Sequence, residues 1–465
     1  MDKINYIVIA IVAIAVIISG VYIFTLSNTP GVSTNLDASA LENRGNLVVD
    51  GGSQNLENGL YESNISDNNS VLATNSSVLT LANSIINKTG DTQTQGDACD
   101  FYGVNSAVLV RNSAHLDIGS CQIVTNSTGS NGVFVTNSAG ESQQGGGEGQ
   151  TPPGGPLETS ISTSQVNDSA VANIENVEIT TYQDKSRGLD ATFGGIINAN
   201  NIVINTNGNS CAAVATDRGE GTVNVTNSHL NTGVSKESGR GSPIIYSTGN
   251  INIENSRGTA YVSQIACIEG KNSITMHGSS FNCFAEGNRK DGDNYVDLGG
   301  IFIYQSMSGD ADVGTATFNC SDCELSIDSN SSYYSQAPMF HVTNTRAVIN
   351  LESTRLNFGS GILADISGQN QWGNVGSNGG DLTFNIIECN LNGNITVDEI
   401  SSLNLTLNKT TFEGAINSTG NTSVIINEGS TWTLTGDSYV TSLVNNGNIN
   451  YNGHSIYVNG VAQSE

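Results

Sequence analysis

Acidic side chains beside two basic ones are the residues of this sequence best suited to chemistry. Two carboxylic acids that flank a glycosidic bond can hydrolyse it, one as acid and the other as base or nucleophile. No paired-aspartate motif typical of such hydrolases is present, so the sequence does not by itself indicate hydrolysis. The candidate carboxylates are Asp190, Asp217, Glu269 and Asp365, with Arg218 and Lys271 as the neighbouring bases.

Several of these residues are predicted to lie along one edge of a stacked structure. Equivalent positions of stacked parallel strands lie about 4.8 Å apart, so residues that follow similar strand segments would form a strip. Three interpretations remain open, namely turn carboxylates with a solvated ion pair, a glycan-binding strip, and a catalytic site. The strip comprises Asp217, Arg218, Tyr246, Glu269, Lys271, Tyr304 and His341.

A second acidic segment could hold calcium. Asp291, Asp293 and Asp297 alternate in a loop, and carboxylate oxygens are the ligands that calcium prefers. The segment lacks the later bidentate glutamate of an EF-hand, and no helix is predicted on either side of it. An ordinary acidic insertion loop is therefore the alternative. No other cofactor is indicated.

A ladder of similar segments must position these residues. Each segment has a small residue or proline near its start, followed by apolar residues, and the shorter intervals are roughly two dozen residues, a period typical of solenoids. The longer intervals indicate a turn of the solenoid with an inserted loop. The segments begin at Ser106, Asn131, Arg187, Cys211, Ser242, Ile265, Gly299 and Ala337.

A second ladder runs in step with the first. It has the pattern apolar-x-apolar, then a turn, then another apolar residue, as in Leu116 and Ile118 followed by Ile123. Alternation with period 2 predicts strands. Asn, Gly, Ser and Asp between them favour turns. Strands stacked in register, two or three per turn, predict an all-β parallel β-helix over residues 46–465, with a flexible inserted loop at 140–157.

The composition limits the partners. The formal net charge is −27 with 16 basic residues, and nucleic-acid binding requires cationic patches that displace counterions from phosphates. The sequence therefore predicts no nucleic-acid partner. The same acidity disfavours binding to an anionic membrane surface and is consistent with life outside the cell.

The N-terminus predicts a membrane anchor. Residues 6–26 form an apolar stretch long enough to span a bilayer as a helix, and no small-x-small cleavage site follows it. Lys3 precedes this stretch, which favours a cytoplasmic N-terminus. We expect a short cytoplasmic end at 1–5, a transmembrane signal anchor at 6–26, a stalk at 27–45 and a solenoid outside the cell.

The ladders place most of the eight cysteines in the core, which disfavours a set of disulfides. Buried free cysteine packs as a small apolar residue. Cys121, Cys323 and Cys389 share one ladder position. Cys320 aligns with Met276, and Cys267 aligns with Ala213 and Ile244. These are core positions. Cysteines that share a position lie more than one coil apart, which is too far for a disulfide.

Possible N-glycosylation sites are a further extracellular feature. A chain rich in Asn, Ser and Thr produces many Asn-x-Ser/Thr sequences by chance, so that origin stays open. The sites considered are Asn64, Asn87, Asn126, Asn224, Asn404 and Asn408.

Five runs of the sequence are characteristic, namely GVNSAVLV, SRGLDATFGG, CAAVATDRGEGTV, GSPIIYSTG and STWTLTGDSYVTSL. They resemble adhesin-like surface proteins of methanogenic archaea and related gut bacteria. This resemblance covers roughly residues 46–460. The wider resemblance is to pectin-lyase-like folds. It implies a single-stranded right-handed parallel β-helix, displayed outside the cell and generally without enzyme activity. Many adhesin-like proteins are far longer, whereas this chain has one repeat block.

We therefore expect a non-catalytic, membrane-anchored cell-surface protein that binds glycans or surface components of other cells. The pectin-lyase-like resemblance keeps open a polysaccharide lyase, with calcium and a proton-abstracting base, or a hydrolase. A passive cell-envelope spacer is the third hypothesis.

Overall fold

Short strands with alternating buried and exposed side chains build almost the whole of the computed structural model. The structure describes residues 36, 41–43, 45–93, 97–138, 169–233, 241–287, 290–291, 294–295 and 297–463. Inward-facing residues such as Leu116 and Ile118 on one strand are buried, while the intervening Asp117 is exposed. The alternation in sequence thus corresponds to one core-facing and one outward-facing side of each strand.

Within the described residues, three long sheets run along the molecule. Sheet A contains β1 (Glu42–Asn43), β4 (Gly59–Ser63), β7 (Ile85–Lys88), β10 (Gln122–Thr125), β13 (Glu178–Thr181), β16 (Val203–Thr206), β19 (His229–Thr232), β22 (Arg257–Ala260), β25 (Ser280–Cys283), β30 (Glu324–Ile327) and β33 (Arg355–Asn357). Sheet B contains β2 (Leu47–Asp50), β5 (Val71–Thr74), β8 (Val108–Arg111), β11 (Val133–Thr136), β14 (Leu189–Thr192), β17 (Val214–Thr216), β20 (Ile245–Ser247), β23 (Ala266–Glu269), β28 (Ile301–Tyr304), β31 (Phe340–Thr343), β34 (Ile362–Ile366), β37 (Asn394–Val397) and β40 (Ile416–Ser418). Sheet C contains β3 (Ser53–Glu57), β6 (Val78–Ala82), β9 (His115–Gly119), β12 (Val171–Glu175), β15 (Ile196–Asn200), β18 (Thr222–Thr226), β21 (Asn250–Glu254), β24 (Ser273–His277), β29 (Thr315–Ser321), β32 (Arg346–Glu352), β35 (Asp381–Ile387), β38 (Ser402–Asn408), β41 (Asn421–Ile426) and β44 (Ser442–Asn445).

Three smaller sheets and one short helix complete the described elements. Sheet E, at the C-terminal end, contains β36 (Asn390–Asn392), β39 (Thr411–Glu413), β42 (Thr431–Thr433) and β45 (Asn448–Asn450). Sheet F contains β43 (Ser438–Val440), β46 (Ile456–Val458) and β47 (Val461–Gln463). Helix α1 spans Asp97–Phe101, and β26 (Lys290–Asp291) with β27 (Asn294–Tyr295) forms a hairpin.

The chain visits sheets A, B and C in turn, so most strands pair in parallel with the strand numbered three higher. The hairpin strands β26 and β27 interrupt this order, so β23, β24 and β25 pair with β28, β29 and β30. For example, β14 lies between β11 and β17 in sheet B. Among the described strands only the hairpin and the final pair, β46 with β47, are antiparallel. The predicted all-β solenoid of stacked parallel strands, a β-helix-like fold, is confirmed.

A single residue in the left-handed conformation turns the chain from sheet C to sheet A in most coils. Asn58, Asn83, Asn176, Asn201 and Asn227 occupy this turn with φ between 48 and 56°. Asparagine tolerates positive φ better than most residues because its short side chain bonds locally. The recurrent asparagines between strand segments therefore have a direct geometric role.

The residue after this turn forms a column of hydrogen bonds through the stack. In most of these coils its hydroxyl or thiol donates to the carbonyl two residues earlier and accepts an N–H from the preceding coil. Cys389 Sγ, for instance, donates to Ile387 O at 3.2 Å and accepts from Thr354 N at 3.4 Å. The column includes Ser84, Cys121, Ser228, Ser256, Ser279, Cys323, Thr354, Cys389 and Thr410.

The predicted burial of the shared cysteine position is confirmed, and the column adds a reason for the residue type. All eight cysteines are buried. In three of them, Cys121, Cys323 and Cys389, the thiol makes the hydrogen bonds that serine or threonine makes in neighbouring coils. Cys320 pairs with Met276 and Leu351 in register, as the ladder predicted.

We expect Cys389→Ser to change the free energy of unfolding by less than about 1 kcal/mol, because a hydroxyl makes the same bonds. Cys389→Ala should lower it by about 1–3 kcal/mol, because the Thr354 N–H then lies buried without this acceptor. Equilibrium urea denaturation measures both. Equal losses for serine and alanine would contradict a hydrogen-bonding role for the thiol.

Apolar side chains from the inner faces of all three sheets form one continuous core. Inside it, Phe340 packs against Phe318 and Phe384 from successive coils at ring-centroid distances of 6.1 and 5.5 Å. Such contacts join each coil to its neighbours, as in other solenoids. The result is a rigid support on which outward-facing side chains keep a fixed spacing.

Three sequence predictions fall wholly outside the described residues. They are the cytoplasmic end at 1–5, the transmembrane anchor at 6–26, and the inserted loop at 140–157, which lies in sequence between β11 and β12. Among the described residues no helix is long and apolar enough to cross a membrane. The first described strand, β1, lies within the range predicted as stalk and pairs with β4.

Candidate functional site

A cleft of about 890 Å³ lies on the outward face of sheet B. Strands β17, β20, β23 and β28, with the residues that follow them, form its floor. The walls are helix α1 and residues 209–212, 241–243, 286–287, 297, 310 and 371–372. The side chains that line the cleft include Asp100, Lys185, Arg187, Asp217, Tyr246, Cys267, Glu286, Asp297, Phe302, Tyr304, Asp310 and Trp372.

The register of sheet B brings the floor residues together. Tyr246, Cys267, Phe302 and His341 are successive partners across β20, β23, β28 and β31. Glu269 and Tyr304, two residues further along their strands, also face each other. Since alternate residues share one face, both rows lie on the outward side of the sheet.

A buried arginine lies at one end of the cleft among three carboxylates. Arg187 Nη2 lies 2.7 Å from Asp217 Oδ2, and its Nη1 lies 3.3 Å from Asp100 Oδ1. Its Nε lies 3.4 Å from Asp190 Oδ2. Lys185 adds a second positive charge at 2.9 Å from Asp100 Oδ2. This cluster holds three carboxyl groups but two basic groups, so ion pairing cannot neutralise all three carboxylates.

The pKa values of these groups show the consequence. Burial raises the pKa of Asp217 to about 7, although Arg187 opposes this rise. Burial also raises the pKa of Asp190 well above its usual value, again against Arg187. For Asp100 burial acts in the same direction, but Arg187 and Lys185 hold its pKa below the usual value. Arg187 and Lys185 together therefore keep Asp100 ionised, whereas Asp190 and Asp217 tend to hold protons.

Helix α1 is held over this end by specific contacts. Thr192 Oγ1 on sheet B donates to Phe101 O at 2.9 Å. The Arg218 guanidinium lies over the Phe101 ring, 3.9 Å from its centroid, and Arg218 Nη2 pairs with Asp310 at 2.7 Å. A cation over an aromatic face stabilises such an arrangement. These contacts fix the position of Asp100.

A carboxylate beneath the middle of the cleft is fully hydrogen-bonded. Glu269, 1% exposed, accepts from Tyr246 Oη at 2.7 Å and from Tyr304 Oη at 3.1 Å through Oε2. Its other oxygen accepts from Ser306 Oγ and from Ser306 N, the latter at 3.3 Å. The four acceptor sites of the carboxylate are thus all used, and two of these bonds orient the tyrosine rings in the floor.

The far end of the cleft is aromatic and acidic. The Tyr304 ring lies between those of Phe302 and Trp372, with centroids 4.6 and 4.7 Å away. Trp372 Nε1 donates to Asp297 Oδ1 at 2.9 Å. Glu286 lines the same part of the cleft. Aromatic rings with oriented polar groups around them are a common composition for small-ligand sites.

The predicted strip is assembled only in part. Asp217, Tyr246, Glu269 and Tyr304 meet at the cleft, and Arg218 lies at its rim. His341 continues the outward-facing row beyond Phe302 but does not line the cleft. It is buried, with Nδ1 3.1 Å from Leu298 O and Nε2 2.8 Å from Gln369 Nε2.

Lys271 lies apart from the cleft, half exposed, and pairs with Glu220 at 2.7 Å and Asp312 at 3.0 Å. Gly270, with φ of 67°, turns the chain away from sheet B just before this lysine. Asp365 on β34 is the strand-register partner of His341 on β31, and it does not line the cleft.

The predicted core position of Cys267 is wrong. Its partners in sheet B are Tyr246 and Phe302, not Ala213 or Ile244, so it points outward. There it packs with Phe302, Tyr304 and Trp372 in a separate apolar cluster. Residues 265–268 are all apolar, so polarity could not fix the register of this segment.

The proposed calcium loop is described only in part. Asp291 lies on β26, Asp293 lies outside the described residues, and Asp297 is buried beside Trp372. Among the described residues no group of three or more His, Cys, Asp or Glu side chains is placed to hold a metal ion.

The six possible glycosylation sites differ in solvent exposure. Asn64, Asn126 and Asn404 are exposed, whereas Asn87, Asn224 and Asn408 are partly buried. Asn224 also belongs to an exposed amide ladder, donating to Asn198 at 2.9 Å and accepting from Asn252 at 2.8 Å.

The sequence interpretation did not identify several cleft residues. Arg187 stands at the start of a ladder segment, three residues before Asp190, and this ion-pair spacing could have revealed it. Asp100 and Trp372 lie on inserted segments that have no counterpart in other coils, so the repeat gave no indication of them.

Comparison of the chain with protein-family models gave no match, and comparison with curated proteins gave no significant match.

Proposed function

We propose that this chain is a non-catalytic, adhesin-like right-handed β-helix that binds glycans or other surface components of cells. We propose further that residues 6–26 anchor it in the cytoplasmic membrane with the solenoid outside. The observation that carries the binding proposal is the cleft of about 890 Å³ on sheet B, whose tyrosine and tryptophan side chains are oriented by hydrogen bonds.

Two features support binding to saccharides. The floor offers aromatic rings beside carboxylates and amides, which suits ligands with both apolar ring faces and hydroxyl groups. The floor strands belong to a rigid stack, so little conformational entropy is lost when a ligand binds. The carboxylates favour binding over catalysis because Glu269 is saturated with hydrogen bonds and Asp190 is wholly buried.

The test is binding of the full chain to a glycan array and to whole cells. We expect Tyr246→Ala to weaken binding about tenfold, because it removes a floor ring and a hydrogen bond to Glu269. Tyr439→Ala is the matched control, since this exposed tyrosine lies in sheet F and stacks on Tyr457. Binding to no glycan and no cell would contradict the proposal.

One observation favours a second function, a polysaccharide hydrolase. Asp217 lines the cleft with a pKa raised by burial to about 7, and a general acid requires a raised pKa. This alternative predicts new reducing ends from a polysaccharide, lost in Asp217→Ala. A lyase would instead give unsaturated uronate absorbance, lost in Glu269→Ala. If neither product forms, the binding proposal stands and the enzymatic alternatives are wrong.

A further inference from the structure

The described lining of the cleft carries more acids than bases. Its basic side chains are Lys185 and Arg187. Its acidic side chains are Asp100, Asp217, Glu286, Asp297 and Asp310, a formal excess of three negative charges.

The positive charges are concentrated at one end and are already paired. Arg187 contacts Asp100 and Asp217, and Lys185 contacts Asp100. Arg218, at the rim, pairs with Asp310. These ion pairs leave little attraction for an anionic ligand in the described part of the cleft.

The other end combines carboxylates with aromatic rings. Asp297, 5% exposed, is fixed by the Trp372 indole, and the Trp372 ring lies 4.7 Å from that of Tyr304. Glu286 lies on the same wall and is partly exposed. A carboxylate beside tryptophan and tyrosine rings attracts an ammonium group through both its charge and the negative faces of the rings.

We infer that the cleft selects a saccharide that carries a free amino group, with the ammonium at Glu286 and Asp297 beside Tyr304 and Trp372. This inference rests on the proposed glycan-binding function and specifies its ligand class. Polyuronates, which carry a carboxylate on each sugar, are disfavoured by the same charges.

The test is calorimetric titration of the full chain with three tetrasaccharides of glucosamine, N-acetylglucosamine and galacturonate, at a pH where the amine is protonated. We expect the glucosamine tetramer to bind at least about tenfold more tightly than either other tetramer. Its binding should weaken about tenfold in Glu286→Gln and in Asp297→Asn. Glu413→Gln, an exposed carboxylate on sheet E, is the control and should bind unchanged.

The outcomes separate the two proposals. Equal or tighter binding of the N-acetylated or galacturonate tetramer would overturn the amine preference while glycan binding stands. Unchanged affinity in both Glu286→Gln and Asp297→Asn would also overturn it. Glu286 is partly exposed, so its variant remains informative if Asp297→Asn fails to fold. Binding of no tetramer, together with an unresponsive glycan array, would overturn both proposals.

Discussion

Replacing Arg187 with methionine is expected to lower the free energy of unfolding by about 3–5 kcal/mol. Methionine keeps much of the volume but removes the charge shared by Asp100, Asp190 and Asp217. Removing one partner of a buried ionic group leaves the others without compensation, and here Lys185 contacts only Asp100 of the three. Equilibrium urea denaturation at pH 8 measures the loss.

Arg355→Met is the matched control. Its pair with Glu324 at 3.0 Å is exposed, and such pairs contribute less than about 1 kcal/mol. The loss in Arg187→Met should also shrink at pH 5, where the orphaned carboxylates accept protons. Equal losses in the two variants would show that the buried cluster does not depend on its arginine.

Asp217→Asn should change how stability depends on pH. Burial raises the pKa of Asp217 to about 7, whereas that of an unfolded aspartate is about 4. Between these values the folded chain binds the proton and the unfolded chain releases it, so this group makes stability fall as pH rises. The asparagine variant lacks this proton. Its stability relative to the unmodified protein should therefore rise from pH 4.5 to pH 8, by at most about 4 kcal/mol.

Urea denaturation at both pH values checks this prediction. Asp381→Asn is the control, since its carboxylate is half exposed on sheet C, and its difference from the unmodified protein should be similar at both pH values. The quantity compared is the free energy of unfolding of Asp217→Asn minus that of the unmodified protein. If this difference stays constant or falls as pH rises, Asp217 is not protonated in the folded chain.

The strands could be predicted from sequence because alternation is a local property of each segment. Leu116 and Ile118 face the core in β9 as the pattern predicted, and their equivalents do so along sheet C. The shared position of Cys121, Cys323 and Cys389 was also correct, since one turn residue separates it from each sheet C strand. Its hydrogen bonds were not foreseen, because they join successive coils.

The site was predictable only where the repeat itself forms it. The stacking of Glu269 and Tyr304 follows from register in sheet B. Asp100 and Trp372 come from segments inserted at different coils, and their meeting depends on how these segments fold back over the sheet. Cys267 was misplaced because no polar residue in its segment marks the register.

We propose that the ligand occupies the cleft on sheet B. The chain has two tryptophans, and Trp372 lies in the cleft while Trp432 is buried in the core. The full chain is titrated with a glycan that binds it on the array, and tryptophan fluorescence monitors the binding. We expect a saturable change in emission that Trp372→Phe abolishes. The same change in Trp372→Phe, or saturable binding with no change in emission, would contradict it.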